Sequence, residues 1–269
     1  MQNINPINII AIDGTTASGK GSLARKLAAE LGYNYLNSGA LYRLTAYILK
    51  QKDFDFEKYN MLRKEREVNI LAHAENKIKE VGDIFETENN INEYIENPEY
   101  LSMEDMVVDA GKGLSPVFYG KQVLVDDVDV WPIISTQEYG NYAARISPTL
   151  RLREALYLYQ RSCIKSPGLV AEGRDMTGEV YNDAVCKIYL DASPEERAKR
   201  RLKEELLEET GKDKTFETVL TEIHDRDTKD KTRHHGALKL VPDAHHLDNT
   251  NITAEETVTT ALSYFKESI

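Results

Sequence analysis

Ile7-Asn8-Ile9-Ile10-Ala11-Ile12-Asp13-Gly14-Thr15-Thr16-Ala17-Ser18-Gly19-Lys20-Gly21-Ser22 is the stretch on which the fold turns. Ile7 to Ile12 is almost continuously apolar and only as long as a strand, the habit of a parallel strand covered on both faces. A glycine-bearing loop follows, and then Leu23, Leu27 and Leu31 recur at helical spacing. The loop itself fits G-x-x-x-x-G-K followed by a small residue and a hydroxyl, in the strand-to-helix setting the motif requires. Its glycines let backbone N–H groups turn inward around phosphate oxygens, the helix N-terminus adds a positive dipole end, and Lys20 adds a point charge. Gly14, Ala17, Ser18, Gly19, Lys20, Gly21 and Ser22 are therefore the candidate nucleotide contacts, with Ser22 placed to ligate magnesium.

Such a loop leaves GTPases, ATPases, motors and small-molecule kinases open. There is no asparagine-lysine-x-aspartate guanine-reading motif and no long second domain for a motor, which leaves a kinase using ATP and Mg2+. Working outward, Leu169 to Ala171, Val185 to Leu190 and a weak His246–Leu247 pair read as further buried strands of an α/β P-loop NTPase, a parallel sheet flanked by helices. Ser193, Pro194 and Glu196 cap one helix and Thr253 with Glu256 another, while Ser147 and Pro148 are read as opening a helix that runs to about Lys165. Residues 1–52 and 131–269 are assigned to the core. Residues 53–130 differ in texture and are assigned to an inserted lobe that binds the acceptor: a charged helical run to about Ile95, a breaker at Pro98, and a β-hairpin within Val117 to Val130. The charged stretch Lys203 to Lys214 is either a solvated helix end or a short lid spanning about 200–216.

An acceptor that is itself a phosphate needs fixed cations, because two polyanions must approach within reaction distance. Arg43, Arg153 and the pair Arg174-Asp175 are candidates, the last directly after a strand, where α/β sheets bind ligands. Phe216, Val219, Leu220 and Ile223 form an apolar helical stripe that Arg226, Asp230 and Arg233 continue, which aims those charges into a cleft. Arg197, Arg200 and Arg201 lie at i, i+3 and i+4. Either this basic face of three arginines clamps the transferred group, with Lys20, Arg174, Arg200 and Arg201 as the catalytic set, or these arginines pair with Glu204, Glu205 and Glu208.

With these residues in view, the sequence resembles the bacterial cytidylate kinase family. The likeness runs through Ile12-Asp13-Gly14 and the Gly19-Lys20-Gly21-Ser22 loop, Ser38-Gly39-Ala40-Leu41-Tyr42-Arg43, Thr136-Gln137-Glu138, Arg153-Glu154-Ala155-Leu156, Gly173-Arg174-Asp175-Met176, Leu190-Asp191-Ala192-Ser193, Glu195-Glu196-Arg197-Ala198 and Arg226-Asp227. It implies phosphoryl transfer from ATP to CMP or dCMP. It also implies that Ser38, Arg43 and Arg174 meet the acceptor phosphate, that Arg153, Asp175 and Arg233 read the cytosine, and that Arg226 and Asp230 hold the sugar. The chain departs from the family at Asn37 and Glu172, where the family has aspartate, at Ala144 for a base-reading serine, at Ser135 for an arginine, and in the order Thr177-Gly178. Two other readings stay open: a P-loop kinase of another acceptor (UMP, AMP or a coenzyme precursor), and a nucleotide-binding module that has lost catalysis.

Composition bounds the partners. Across 269 residues, 34 Lys and Arg face 45 Asp and Glu, a net charge of -11 that repels a nucleic-acid backbone on average, so any phosphate site must be a local basic pocket. Small-molecule nucleotides are the expected ligands, with no nucleic-acid polymer or membrane partner, in a cytoplasmic chain expected to act as a monomer. Cys163 and Cys186 fall in apolar segments and do not make a disulfide scaffold. The adjacent pairs His234-His235 and His245-His246 lack the spacing of a zinc site, and the tyrosines between Tyr139 and Tyr159 read as core.

Overall fold

The computed structural model describes residues 7–81, 97–207 and 214–269. They divide into two compact units: residues 1–40, 115–131 and 157–269 belong to the first, and 41–114 and 132–156 to the second.

In the first unit β1 (Asn8–Gly14), β2 (Asn34–Asn37), β6 (Gly168–Glu172), β7 (Cys186–Asp191) and β8 (His245–Asp248) form a five-stranded sheet in the order β2-β6-β1-β7-β8. All of its pairings are parallel. The register sets Ile12 beside Glu172 on one side and Ile188 on the other, so the strand ends that carry Gly14, Glu172 and Asp191 finish together. The central strands are buried along nearly their whole length, which is why their sequences are mostly apolar, with Lys187 an exception in β7. The edge strands β2 and β8 have a single buried residue each, Leu36 and Leu247, and give only a faint signal. The core lies between the sheet and two helices, α1 (Lys20–Leu31) and α10 (Ala254–Ser268), with Ile10, Ile12, Leu27, Ile188, Leu190 and Phe265 packed together.

The expected caps at Ser193 and Thr253 are present. The Glu196 N–H donates to Ser193 Oγ at the start of α8 (Pro194–Leu207), and Thr253 and Glu256 bond reciprocally. α9 (Phe216–Thr232) starts at a Thr215 cap. No described helix is long and apolar enough to cross a membrane. Of the expected lid, residues 208–213 lie outside the described residues, as does the stretch 82–96 where the charged run was expected to end.

Three local readings are corrected. The hairpin is a three-stranded antiparallel meander of β3 (Val117–Tyr119), β4 (Gln122–Val125) and β5 (Val128–Asp129). Its second turn is made by Asp126 and Asp127, both at positive φ, a hairpin turn whose usual sequence is Asn-Gly and so was easily missed. Pro98, expected only to break the run before it, begins a helix, α4 (Pro98–Lys112), while the end of that run lies outside the described residues. Asn97 caps it by accepting the Glu99 and Tyr100 N–H groups, and proline is suited to the first helical position because its missing N–H has no partner to lose there. Ser147 does not open a helix; its N–H closes the end of α6 (Gln137–Ile146) on the Ala143 carbonyl, and α7 (Leu150–Ser162) starts three residues later. Tyr139 is buried as expected, but Tyr157 is exposed on α7.

The second unit also contains α3 (Phe56–Val81), all but the first residue of the short α5 (Trp131–Ile134), and all but the first turn of α2 (Ser38–Lys50). Its core stacks Tyr59 on Tyr100 with the rings 7° from parallel, and Tyr59 Oη meets Thr149 Oγ1 at 2.7 Å. Gly111 lets α4 approach α7 closely: a Cβ there would stand 2.4 Å from Leu152 Cδ1.

Candidate functional site

The loop after β1 is held from several directions at once. Thr15 O accepts from Lys20 Nζ at 2.6 Å and from Ser18 Oγ at 2.9 Å. Thr15 Oγ1 donates to Asp191 Oδ1, at the end of β7, at 2.6 Å. The next peptide is gripped by an ion pair: the Thr16 N–H donates to Asp227 Oδ1 at 3.0 Å, Thr16 O accepts from Arg197 Nη1 at 3.0 Å, and Arg197 Nη1 also donates to Asp227 Oδ2 at 2.6 Å. Both side chains of this pair are almost wholly buried, so losing one partner would cost about 3–5 kcal/mol. Ala17 and Gly19 take positive φ, the conformation that reverses the chain around the loop's hollow. A Cβ on Gly14 would stand 1.9 Å from Leu190 O, so only glycine lets the loop leave the strand at that point.

Lys20 is buried at the foot of this loop. Burial, reinforced by the charge of Arg174, pulls its amine down to about 7, against the opposing pull of Glu172, Asp230 and Asp13. At neutral pH the amine is therefore only partly protonated. Asp13 sits behind it, accepting from the Met176 and Thr177 N–H groups and from Thr177 Oγ1. Burial and the nearby Asp175 push its carboxyl up to about 6. Its three bonds fix the turn that carries Arg174 and Asp175.

Arg174 links two groups of residues. Its Nη2 donates to Thr16 Oγ1 in the loop at 3.1 Å, its Nε to Asp230 Oδ2 at 2.7 Å, and its Nη1 to Gly173 O at 3.3 Å. Asp230 also faces Arg226 at 3.6 Å and Arg233 at 3.7 Å. Burial alone would raise the Asp230 carboxyl, but the guanidinium groups of Arg174, Arg226 and Arg233 outweigh it and hold the group down at about 2. The stripe on α9 does hand over to charges as its pattern indicates, since Val219 and Ile223 are buried and Asp230 is buried beyond them.

Elsewhere in the first unit, Ser38 is buried at the first position of α2, where Asn37 Oδ1 accepts the Ala40 N–H at 3.0 Å. Asp175 is buried after β6. In the second unit, Arg43 Nη1 donates to the carbonyls of Ile134 and Thr136, and its guanidinium lies against Gly140, where a Cβ would stand 2.8 Å from Nη2. Arg153 is buried on α7 with Nη1 3.3 Å from Tyr42 Oη. Arg201 pairs with Glu205 one turn on, and Arg200 with Glu196 and with Asn249. Three residues that hold the loop, Asp191, Asp227 and Asn249, were not singled out as site residues from the sequence; Arg197, read as part of a clamp face, instead grips the Thr16 peptide and Asp227.

Among the described residues no three His, Cys, Asp or Glu side chains gather as a metal cluster. A loop of this kind does not need one, because magnesium keeps several waters and takes most of its remaining oxygens from substrate phosphates. Ser22 is exposed on the first turn of α1, and Glu172 Oε1 lies 3.4 Å from where a Cβ on the adjoining Gly21 would sit. A hydroxyl and a carboxylate, both hard oxygen donors, fit that metal.

Comparison with known proteins agrees with this geometry. The family model described as "Cytidylate kinase" matches residues 10–267. A cytidylate kinase of Aeromonas salmonicida (strain A449) is 34% identical over 261 residues, 97% of this chain and 95% of that protein. The cytidylate kinase of Klebsiella pneumoniae (strain 342) is 34% identical over 98% of this chain and 97% of its own length, and that of Neisseria gonorrhoeae (strain ATCC 700825 / FA 1090) is 34% identical over 98% and 100%.

The Asp230 cluster makes stability depend on pH with a definite sign. A carboxyl held at about 2 instead of its ordinary 3.8 contributes stability that is complete above the ordinary value and is lost as pH falls toward 2. Asp230→Asn should therefore cost about 2 kcal/mol near neutral pH. Urea unfolding of both proteins should show that difference shrinking between about pH 4 and about pH 2, and a pH-independent difference would contradict the assignment.

Proposed function

Because this chain belongs to the cytidylate kinase family, we propose that it transfers the terminal phosphoryl group of ATP to CMP and dCMP, giving ADP and CDP or dCDP. The observation that carries the reading is Arg174, which touches the phosphate-loop residue Thr16 with one nitrogen and the Asp230 cluster with another. One cation thereby joins the place where donor phosphates would sit to residues that the family likeness assigns to the acceptor.

In this reading the loop amides and Lys20 hold the β- and γ-phosphates. An oxygen of the acceptor phosphate attacks the γ-phosphorus in line, the bond from that phosphorus to the β,γ-bridging oxygen breaks, and ADP departs with the electron pair. No general base is needed, because the acceptor oxygen is already anionic above its second pKa of about 6. The protein's work is positioning and charge neutralisation. Ser22 and Glu172 would hold magnesium, which would supply further neutralisation of the donor oxygens. The cationic part is assigned to Lys20 and Arg174, both of which touch the loop itself, at Thr15 O and Thr16 Oγ1.

On the acceptor side the assignments rest on the family likeness. Ser38, Arg43 and Arg174 meet the acceptor phosphate, Arg153, Asp175 and Arg233 read the base, and Arg226 with Asp230 hold the sugar. Residues 53–130 remain the proposed acceptor lobe; of them, 53–114 fall in the second compact unit and 115–130 in the first. With Ala144 in place of a base-reading serine, cytosine recognition falls on Arg153, Asp175 and Arg233.

Two measurements test the reading. ADP release with magnesium ATP and equal concentrations of CMP, dCMP, UMP, AMP and GMP should be fastest with CMP and dCMP; equal or faster release with AMP or GMP would refute it. Calorimetric titration with ATP near pH 8, in two buffers of different ionisation enthalpy, should show uptake of close to one proton per nucleotide. Free Lys20, at about 7, is mostly neutral at that pH and must gain its proton beside phosphate. Heats that do not depend on the buffer would contradict this role for Lys20.

A further inference from the structure

Asn249 stands just beyond the end of β8, buried, with its backbone N–H donating to Asp191 O at 2.9 Å. Its side-chain nitrogen donates to Ser18 O in the phosphate loop at 3.0 Å. On its other side, Arg200 Nη1 donates to Asn249 Oδ1 at 2.9 Å and Arg200 Nη2 to the Asn249 carbonyl at 2.8 Å. The amide orientation is fixed by chemistry: a guanidinium only donates, so the amide oxygen must face Arg200 and the NH2 must face the Ser18 carbonyl. Arg200 is itself held by Glu196 through Nε at 3.0 Å.

The consequence follows from peptide planarity. The Ser18 carbonyl and the Gly19 N–H belong to one planar trans unit and point to opposite sides of it. Fixing the carbonyl on Asn249, outside the loop, turns the Gly19 N–H toward the inside, where a phosphate oxygen would need a donor. Gly19, at φ 91°, has no side chain of its own to limit rotation of this peptide, so the constraint must come from outside.

We infer that Asn249 and Arg200 form a strut behind the phosphate loop, and that both are positioning residues for the donor nucleotide rather than groups that touch it. Arg200 then acts through its two parallel hydrogen bonds and not as a charge against the transferred phosphoryl group. This inference rests on the reading of residues 14–22 as the donor-phosphate loop.

The test combines titration with a fluorescent ADP analogue, steady-state kinetics and thermal melting on the full chain. Asn249→Ala should weaken ADP binding and raise the KM for ATP about tenfold, while the KM for CMP stays within about twofold; for scale, tenfold corresponds to about 1.4 kcal/mol. Arg200→Lys keeps the charge but cannot span both Asn249 oxygens, and should show the same pattern in weaker form. Three outcomes would overturn the strut: wild-type ADP affinity in Asn249→Ala; parallel losses for ATP and CMP that track a lowered melting temperature; or a wild-type-like Arg200→Lys beside an Arg200→Gln variant that loses kcat with no change in ADP affinity, which would make Arg200 a charge clamp. If the wild-type protein binds no ADP at all, the loop reading itself falls and the strut with it.

Discussion

A loop that binds phosphate through backbone N–H groups must satisfy its carbonyls on the outside, because each peptide is planar and its two polar groups point opposite ways. The organisation of the first unit meets this constraint. Thr15 O is held by Lys20 and Ser18, Thr16 O by Arg197, Ser18 O by Asn249, and Gly19 O by the Leu23 N–H at the start of α1. Apart from Ser18, which lies in the loop itself, those partners come from α1, α8 and the end of β8, and Asp191 at the end of β7 anchors the Thr15 hydroxyl. The parallel sheet brings the ends of β1, β6, β7 and β8 to one edge, so residues far apart in sequence reach one loop.

Charge is distributed with equal economy. The chain is net acidic by 11 charges, yet Arg174, Arg226 and Arg233 surround a single buried aspartate, and Lys20 sits close enough to feel both. Three guanidinium groups converge on one buried carboxylate, and Glu172 and Asp227 act on Arg174 as well. Lys20 is tuned the other way, its amine pulled down by burial and by Arg174; in the proposed reaction a phosphate would restore its proton. Such a site neutralises charge where it is needed without an extended basic surface that would attract polyanions at large.

The elements legible in the sequence were those with local signatures. The loop, its flanking strand and helix, and the caps at Ser193 and Thr253 follow rules that operate over a few residues, and the family resemblance rests on such motifs. Central strands announced themselves by mostly apolar runs, whereas the edge strands β2 and β8, each with one buried residue, barely did. Pro98 and Ser147 were misread because proline and serine serve at either end of a helix, and only the neighbouring Asn97 and Ala143 decide which. The struts were the least legible. Asp227 and Asn249 act on Thr16 and Ser18 across 211 and 231 residues of sequence, and nothing local distinguishes them from other polar residues near a helix or strand end. Arg200 and Arg201 looked equally suited to a clamp or to pairing along their helix, and the structure engages both in pairing, Arg200 with Asn249 as well.

The central claim, that these residues serve direct phosphoryl transfer between two nucleotides, is tested most directly by 31P NMR of the protein with magnesium ATP and CMP. The account predicts that the signals of CDP and ADP grow together in equal amounts as those of ATP and CMP fall, with no inorganic phosphate above the uncatalysed rate. ADP accompanied by inorganic phosphate, with CMP unchanged, would mean that water is the acceptor and would contradict it.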